Sequence, residues 1–286
     1  MMTPYDYEES PQGLVSLKNE RNINYDFLKC VISDFLEKKG RIRILEIGAG
    51  GARNLKALHE MFGKRLELFG TDISKTAISY ARSLKIGRFE ISPSEIIPFK
   101  AKFDLILIID LLEHLESEKT AKMTLDNALK KLNKNGRIYI SAPIELNKFS
   151  LTWFFSKISP AKKLTNKIFG HTVQFTPQVL HKLIDKKLTK IIKEFYSVRI
   201  ISQLQVLLFL YIPKILLETI FGKKQAMALR DSNEIIDNSD YRTLIWIKKI
   251  IIWLSRPFAY LGYYESYWRR NSKFAAGNIH LLIERR

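Results

Sequence analysis

The feature that most constrains the fold is an apolar segment that ends in two closely spaced glycines, at residues 44–50. Its sequence, Ile-Leu-Glu-Ile-Gly-Ala-Gly, is typical of a buried strand that turns sharply into a helix near Asn54. Gly48 and Gly50 can adopt positive φ and carry no Cβ, so bare backbone can lie against a ligand. A dinucleotide-binding loop would place a third glycine where this chain has Arg53. Alone, the segment predicts a strand–turn–helix unit, with or without a nucleotide-like ligand.

Further strand-like runs, at residues 66–70, 103–109 and 137–141, alternate with helical patterns. This alternation predicts βαβ units and a parallel sheet. Residues 105–109 show no polar alternation, which is typical of a strand covered on both faces. Because ligands bind at the carboxyl ends of strands in such sheets, the residues after each run are the site candidates.

Asp72 is the first of these candidates. It lies 22 residues after Gly50, near the spacing at which a carboxylate accepts hydrogen bonds from both ribose hydroxyls of a nucleotide. It could equally cap the helix that begins after Ser74, and the two roles are compatible. Asp110, Glu113 and His114 follow the run at 103–109 in the same way.

Five motifs then occur in the order found in class I S-adenosylmethionine methyltransferases. They are Leu-Glu-Ile-Gly-Ala-Gly at 45–50, Gly-Thr-Asp-Ile-Ser at 70–74, Phe-Asp-Leu-Ile at 103–106, Leu-Glu-His-Leu at 112–115 and Leu-Asn-Lys-Asn-Gly-Arg-Ile at 132–138. The chain resembles this class, in its type 11/12 form, over roughly residues 40–145. The resemblance implies an α/β, Rossmann-like sheet of seven strands, with helices on both faces and an antiparallel last hairpin formed by residues 191–200 and 277–284.

The resemblance also implies a division of the chain. Residues 1–39 would be a helical lead-in, and residues 40–200 with 277–286 the cofactor-binding domain. Residues 201–276 would be a basic, aromatic, helical insertion before the last strand, acting as a lid or facing a membrane.

The cofactor-binding residues implied by the resemblance are Glu46, Gly48, Ala49, Gly50, Asp72, Ile73, Ser94, Glu95, Asp110 and Leu111. The glycine loop would line the methionine end of S-adenosylmethionine with Glu46 beneath it, and Asp72 would hold the ribose with Ile73 on the adenine. Ser94 and Glu95 would read the adenine edge, although the acid usual there aligns with Pro93. Asp110 and Leu111 would approach from the other side.

His114, with Glu113 beside it, is the candidate catalytic base. The methyl group of S-adenosylmethionine is already electrophilic, so the enzyme must align an acceptor and accept its proton. An imidazole titrates near neutrality and suits that task. The alternative is that Glu113 and His114 cap the next helix and fix the cofactor loop.

A divalent cation is a further candidate. Asp110, Glu113, His114 and His171 form a set that resembles the ubiquinone-pathway O-methyltransferases and, more distantly, the small-RNA 2′-O-methyltransferases. In those families such residues can hold a cation that polarises the acceptor oxygen. The first ligand there is usually Glu rather than Asp, and His-Thr before Phe-Thr-Pro also occurs in metal-free relatives.

The net charge of +18 is concentrated in the second half of the chain. Residues 147–275 hold 22 Lys and Arg against 8 Asp and Glu, whereas residues 1–146 hold 23 against 20. We therefore expect the second half of the chain to bind any anionic partner surface. Cys30 is the single cysteine, and the start of the sequence carries no export signal, so we expect a cytoplasmic protein, peripheral on the inner face of a membrane.

Two segments of the insertion carry this expectation. Residues 200–213 are uncharged, but this run is too short to span a bilayer, which needs roughly 20 apolar residues. In the segment 241–264, Arg242, Lys249 and Arg256 recur every seven positions, with Trp246 and Trp253 along the edge of that stripe. This pattern suits a lipid headgroup layer, or a lid over the acceptor pocket with solvated charges.

We therefore expect a methyltransferase acting on oxygen of a lipid, quinone-like or lipid-linked glycan acceptor. One alternative is a nucleic-acid methyltransferase, which the basic second half would suit. Against it, there is no recognisable RNA-binding module, and residues 110–113 lack the motif of amino-methylating DNA enzymes. Another alternative is a noncatalytic scaffold that binds the cofactor. An NAD oxidoreductase is disfavoured by Arg53.

Overall fold

Seven strands organise the part of the chain that the computed structural model describes, which is residues 23–144, 146–156, 171–213, 216, 219 and 242–286. The strands are β1 (Ile42–Ile47), β2 (Leu66–Asp72), β3 (Gly87–Ile91), β4 (Phe103–Ile109), β5 (Leu132–Pro143), β6 (Thr189–Ser197) and β7 (Asn278–Arg285). Their order is β3-β2-β1-β4-β5-β7-β6, and β7 runs in the direction opposite to the other six strands. The predicted seven-stranded sheet with a final antiparallel hairpin is confirmed.

Helices cover both faces of this sheet. They are α1 (Ile23–Lys39), α2 (Arg53–Phe62), α3 (Lys75–Ser83), α4 (Glu118–Lys130), α5 (Leu151–Ser156), α6 (Pro177–Leu183), α7 (Ile200–Val206) and α8 (Arg242–Trp268). Apolar side chains of α1, α2 and α3 pack with Leu105 and Leu107 on one face. Those of α4 and α6 pack with Ile106 and Ile108 on the other. The unbroken apolar run of β4 is thus explained by burial on both faces.

The strand-like run at residues 137–141 is part of a longer strand in the structure, and that strand contains a turn. Helix α4 ends at Lys130 and β5 begins at Leu132, five residues before the predicted strand. Pairing with β4 then jumps from Phe103 opposite Leu132 to Leu105 opposite Arg137, and the backbone of Asn135 has a φ of 64°. The four intervening residues form a bulge, so the turn lies inside the strand.

His280 joins the three strands at the end of the sheet. Its ring is fully buried in β7, with Nδ1 3.0 Å from the Tyr139 hydroxyl of β5 and Nε2 2.6 Å from Ser197 Oγ of β6. It also stacks on Phe195, with ring centroids 4.4 Å apart. Burial lowers the pKa of His280 to about 3, so the ring is neutral at physiological pH. A neutral, doubly hydrogen-bonded ring stabilises the sheet where the insertion leaves and returns.

The insertion is attached at its base by a buried arginine. Arg199 is buried, and its guanidinium donates to the carbonyl oxygens of Arg269, Ser272 and Phe274. Helices α7 and α8 pack so closely that a Cβ added to Gly262 would lie 2.4 Å from Ser202 Oγ. Residues 207–211 continue α7 as a π-helix.

Some predicted features lie outside the described residues. These are residues 1–22 of the lead-in, residues 157–170 and most of 214–241, and the side chains of Arg242, Lys248 and Lys249. The predicted domain boundaries stay a prediction. Within the described ranges, none of the helices combines the length and the apolar character needed to cross a membrane.

Candidate active site

A cavity of about 640 Å³ opens at the carboxyl ends of β1, β2 and β4. Ten residues predicted for the cofactor line it, namely Glu46, Gly48, Ala49, Gly50, Asp72, Ile73, Ser94, Glu95, Asp110 and Leu111. His114 lines it as well. The volume is in the range of small-molecule and cofactor sites, roughly 300–1,000 Å³. The structure therefore brings into one cavity every residue that the sequence assigned to the cofactor.

The glycine loop after β1 forms the floor of this cavity. Gly48 and Gly50 have φ of 74° and 50°, and the amides of Gly48 and Ala49 both donate to the carbonyl of Thr71 at 2.8 Å. A Cβ on Gly48 would lie 2.7 Å from Leu111 Cδ1. Glycine is required here by both the backbone conformation and the approach of Leu111.

Asp72 fixes this loop to the end of β2. Its Oδ2 accepts from the Gly50 amide at 2.8 Å, and its Oδ1 accepts from the Ser74 amide at 2.9 Å. The cap of α3 is Ser74, whose Oγ accepts from the Ala77 amide, so Asp72 is not the capping residue. Each carboxylate oxygen of Asp72 can accept a further hydrogen bond from a ligand.

Glu46 lies beneath the loop and is almost completely buried. It is 1% exposed, its Oε1 accepts from Asn54 Nδ2 at 2.6 Å, and Asn54 Oδ1 accepts from the Tyr25 hydroxyl at 2.7 Å. Its Oε2 has no hydrogen-bond partner among the described residues. Burial, together with the charges of Asp72 and Asp110, raises the pKa of Glu46 to about 8. A cationic ligand group at Oε2 would favour the ionised carboxylate.

Asp110 bounds the cavity at the end of β4 in an unusual backbone conformation. Its φ is 49°, and its Oδ1 accepts from Ser141 Oγ at 3.1 Å. Burial raises the pKa of Asp110, while the Ser141 hydrogen bond and the nearby charges of His171 and Arg53 oppose that shift. A non-glycine residue with positive φ stores backbone strain and is often found at functional sites.

Ser94 and Glu95 occupy the side of the cavity where an adenine edge was expected. Ser94 Oγ lies 2.9 Å from Thr124 Oγ1 and donates to Glu95 Oε2 at 3.2 Å. The carbonyl of Glu95 accepts from Asn127 Nδ2 at 2.8 Å. These contacts anchor the loop after β3 to α4. Ile73 lies at the rim, largely exposed.

Glu113, His114 and His171 meet beside the cavity, although they come from distant parts of the chain. The carbonyl of Glu113 accepts from the amides of Thr172 and Val173 at 2.9 and 3.1 Å, which places His171 next to His114. The two imidazole rings pack edge to face, 4.9 Å apart. One ligand atom from each of Glu113, His114 and His171 lies within 4.8 Å of the others. Asp110 is not part of this group.

The alternative role of Glu113 and His114 as a helix cap is wrong. They form a separate 3₁₀ turn, Leu112–His114, and α4 is capped by Ser117, whose Oγ accepts from the Thr120 amide at 3.2 Å. Both residues remain at the end of β4, where a reacting group could be reached. Their catalytic roles stay a prediction.

The sequence of this region decides what kind of domain it forms. Residues 45–138, from β1 into β5, match a family model described as a methyltransferase domain. Residues 45–138 therefore carry a methyltransferase domain. No curated protein matches the chain in sequence.

Solved structures share the fold of this methyltransferase domain at low identity. A sarcosine dimethylglycine methyltransferase of Galdieria sulphuraria, itself described as putative, superimposes with a TM-score of 0.52 and 12% identity, over 90% of this chain and 84% of that one. Phosphoethanolamine N-methyltransferase 2 of Haemonchus contortus, solved with S-adenosylmethionine, gives 0.52 and 14%, over 96% and 54%. The cyclase SpnF gives 0.52 and 12%, over 91% and 80%. These likenesses establish the fold, and the acceptor must be argued from the site.

The sequence did not predict the contribution of α1 to the methyltransferase cavity. Asn24, Tyr25 and Leu28 line it, together with Arg53 and Asn54 at the start of α2. Arg53 was visible only as the residue that replaces a third glycine. Tyr25 and Asn54 are 29 positions apart, and no local pattern signals their contact.

Proposed function

We propose that this methyltransferase transfers its methyl group to an oxygen of a lipid, quinone-like or lipid-linked glycan acceptor at a membrane surface. The observation that carries the proposal is the position of His114, which lines the cofactor cavity and packs against His171. The exposed aromatic face of α8 supports the membrane surface as the place of reaction.

The cavity fits S-adenosylmethionine. Glu46 Oε2 is buried and suits the cationic amino group of the methionine end. A side chain on Gly48 would collide with Leu111, so the loop presents bare backbone to the cavity. Asp72 can accept from the ribose hydroxyls, and Ser94 and Glu95 lie where the adenine edge would be read. When bound, the cofactor supplies an electrophilic methyl group on a sulfonium.

His114 would accept the proton of the acceptor hydroxyl as that oxygen attacks the methyl carbon. The bond from carbon to the acceptor oxygen forms while the bond from carbon to sulfur breaks, leaving a neutral thioether and a protonated imidazole. General bases of this kind contribute about 10²- to 10⁴-fold. Glu113 and His171, which lie beside His114, would orient the ring and stabilise its charge.

The same three residues could instead hold a divalent cation, because their ligand atoms converge within 4.8 Å of one another. One carboxylate and two imidazoles are donors suited to Zn²⁺ or Mn²⁺. An ion held there would polarise the acceptor oxygen. Thermal shift with EDTA and with added Mg²⁺, Mn²⁺ or Zn²⁺ tests it, with His171→Ala as the matched variant. A midpoint that no metal moves in the wild type rejects the cation and leaves His114 as the base.

Helix α8 supplies the argument for a membrane. Trp246, Trp253 and Trp268 are 65, 64 and 77% exposed, and at 100° per residue they fall on one side of the helix. The exposed side chains of Ile250, Leu254 and Leu261 extend that stripe, and the exposed Arg256 lies at its flank. Gly262 and Ser266 face the protein. Tryptophan beside arginine suits the boundary between headgroups and acyl chains.

Incubation with methyl-labelled S-adenosylmethionine and separated lipid, glycan, RNA and small-molecule fractions tests the acceptor. We expect label in the lipid or lipid-linked fraction, and a loss of about 100-fold or more in His114→Ala, with binding of S-adenosylhomocysteine retained. Label in RNA would support the nucleic-acid alternative. Binding of the cofactor without label in any fraction would support a noncatalytic scaffold.

Co-sedimentation with vesicles tests the surface separately. Trp246→Ser/Trp253→Ser should bind anionic vesicles at least about tenfold more weakly than the wild type. Met61→Ser/Met123→Ser, which alters two exposed apolar side chains on α2 and α4, is the matched control. Equal, negligible binding by all three proteins removes the membrane from the proposal.

A further inference from the structure

Two loops at one edge of the sheet are held together by Asn147. Its Nδ2 donates to the carbonyls of Lys273 and Ala276, at 2.7 and 2.8 Å. One loop follows the carboxyl end of β5, and the other precedes the amino end of β7, which is antiparallel to β5. The joined loops therefore lie at the same edge of the sheet as the cofactor cavity.

These loops expose a group of apolar side chains, which we call the aromatic patch: Leu146, Phe149, Phe154 and Phe274. Phe149 and Phe154 are 61 and 60% exposed, and the ring of Phe149 stacks on that of Phe274 with centroids 5.2 Å apart. Single exposed apolar residues are ordinary, but a group of them marks an interaction surface.

The backbone of Phe149 strengthens this reading. Its φ is 68°, a conformation that a bulky residue adopts only against steric resistance. The structure thus keeps a strained residue whose ring is mostly in solvent. Strain retained without burial of the side chain points to a role in recognition rather than in packing.

The exposed charged side chains of these two loops, among the described residues 146–156 and 269–277, are positive. Lys148, Arg269 and Lys273 are exposed, and the guanidinium of Arg269 lies 5.7 Å from the ring centroid of Phe274. Residues 146–156 and 266–277 contain no Asp or Glu in the sequence. Apolar rings surrounded by cations complement an interface of hydrocarbon and lipid phosphate.

We propose that the aromatic patch is a second membrane contact, separate from the stripe on α8, and that it docks on an anionic bilayer. The rings would enter the boundary below the headgroups, while Lys148, Arg269 and Lys273 meet lipid phosphates. Trp268, the exposed last residue of α8, directly precedes Arg269, so the two surfaces are continuous along the chain.

The two contacts together have a consequence that neither has alone. A single helix lying on a bilayer leaves the protein free to rotate about the helix axis. A second contact removes that freedom and turns the carboxyl edge of the sheet, with its cavity, toward the lipid. This inference rests on the proposed membrane-bound acceptor for its purpose, but its test needs no turnover.

Vesicles of phosphatidylglycerol and phosphatidylcholine in equal parts are the probe. Phe149→Ser/Phe274→Ser should bind them about tenfold more weakly than the wild type, since two rings no longer leave water. Lys148→Glu/Lys273→Glu should lose binding to these vesicles and behave like the wild type on pure phosphatidylcholine. Thermal midpoint and affinity for S-adenosylhomocysteine should stay unchanged in both variants, because the cavity lining contains none of these residues.

The matched control is Lys187→Glu/Leu188→Ser. Leu188 is 55% exposed and Lys187 is also exposed, and both precede the amino end of β6, at the opposite edge of the sheet. This control should bind vesicles as the wild type does. If it loses binding to the same extent as Phe149→Ser/Phe274→Ser, the effect is general and the aromatic patch is not a docking site.

The outcomes separate this inference from the proposed function. Weaker binding by the variants of both surfaces supports two contacts. If only Trp246→Ser/Trp253→Ser weakens binding, α8 docks and the aromatic patch does not, so the inference fails while the membrane proposal stands. If no protein binds the vesicles, both fail. A concentration-dependent dimer that is lost in Phe149→Ser/Phe274→Ser assigns the surface to a second copy of the chain and also overturns the inference.

Discussion

The cofactor cavity and the insertion use their side chains in opposite ways. Around the cavity, Asp72, Glu46 and Asn54 are held by hydrogen bonds to the protein before any ligand arrives. On α8, the tryptophans project into solvent. The cavity is organised in advance for a small molecule, which lowers the entropic cost of binding it. The outer face of the insertion exposes its aromatic rings, which the proposed membrane surface would cover.

The charge distribution follows the same division. The nearly balanced first half of the chain contains the cavity, whose charged groups act at short range on a bound ligand. The excess positive charge lies in the second half, where it can act over roughly a Debye length on an extended anionic surface. Substitutions in the first region should therefore change ligand affinity, and those in the second should change docking.

Replacement of Asp72 should cause the largest loss of ligand affinity in the cavity. In Asp72→Ala, the amides of Gly50 and Ser74 lose their acceptor and a ribose loses its own. Hydrogen bonds to charged groups contribute about 1.5–3 kcal/mol each, so we expect about a 100-fold loss of affinity for S-adenosylhomocysteine. Isothermal titration calorimetry measures it. Asp72→Asn, which keeps one oxygen, should lose less, and an Asp72→Ala protein of native affinity would contradict the assignment.

The raised pKa of Glu46 gives a second prediction, of intermediate size. In the empty cavity Glu46 is protonated below about pH 8, and a cationic amino group should drive it to release that proton. The affinity of the wild type should therefore rise about tenfold from pH 6 to pH 7. Glu46→Gln should show a flatter profile. Calorimetry in two buffers of different ionisation enthalpy counts the released protons, and identical pH profiles for the two proteins would count against this role.

The same shift has the opposite sign for the stability of the empty protein. A carboxyl whose folded pKa is raised contributes stability that is fully present below its unfolded pKa and is lost as the pH rises through the folded value of about 8. Thermal midpoints of the cofactor-free protein should therefore fall toward pH 8, and they should fall less in Glu46→Gln.

The smallest expected effect lies where the two regions meet. Tyr263 of α8 donates to Asp26 of α1 at 2.5 Å, while the neighbouring Tyr25 donates to Asn54. Helix α1 thus links the insertion to the cavity. Tyr263→Phe should weaken S-adenosylhomocysteine binding by about two- to threefold, and its combination with Tyr25→Phe should cost less than the product of the single effects. Tyr267→Phe, on the same helix, is the control. Strictly multiplicative effects would show that the two regions are independent.

Much of the cavity was predictable from the sequence because its key residues follow buried strands. The apolar runs locate the strands, and the parallel order brings their carboxyl ends to one edge. Gly48, Asp72 and Asp110 are neighbours because β1 lies between β2 and β4 and the three strands are parallel. The bulge inside β5 was not predictable, because the pairing with β4 resumes only after residues 133–136 and depends on the partner strand.

The strands, the glycine loop and the residues at the strand ends could be read from the sequence, because backbone conformation and burial periodicity are local properties. Packing of distant segments brings Tyr25 to Asn54, places His171 against His114, and attaches the insertion at its base through Arg199. It also decides which side of α8 faces solvent. These contacts join residues far apart in the chain, and packing, which the local pattern does not encode, selects them.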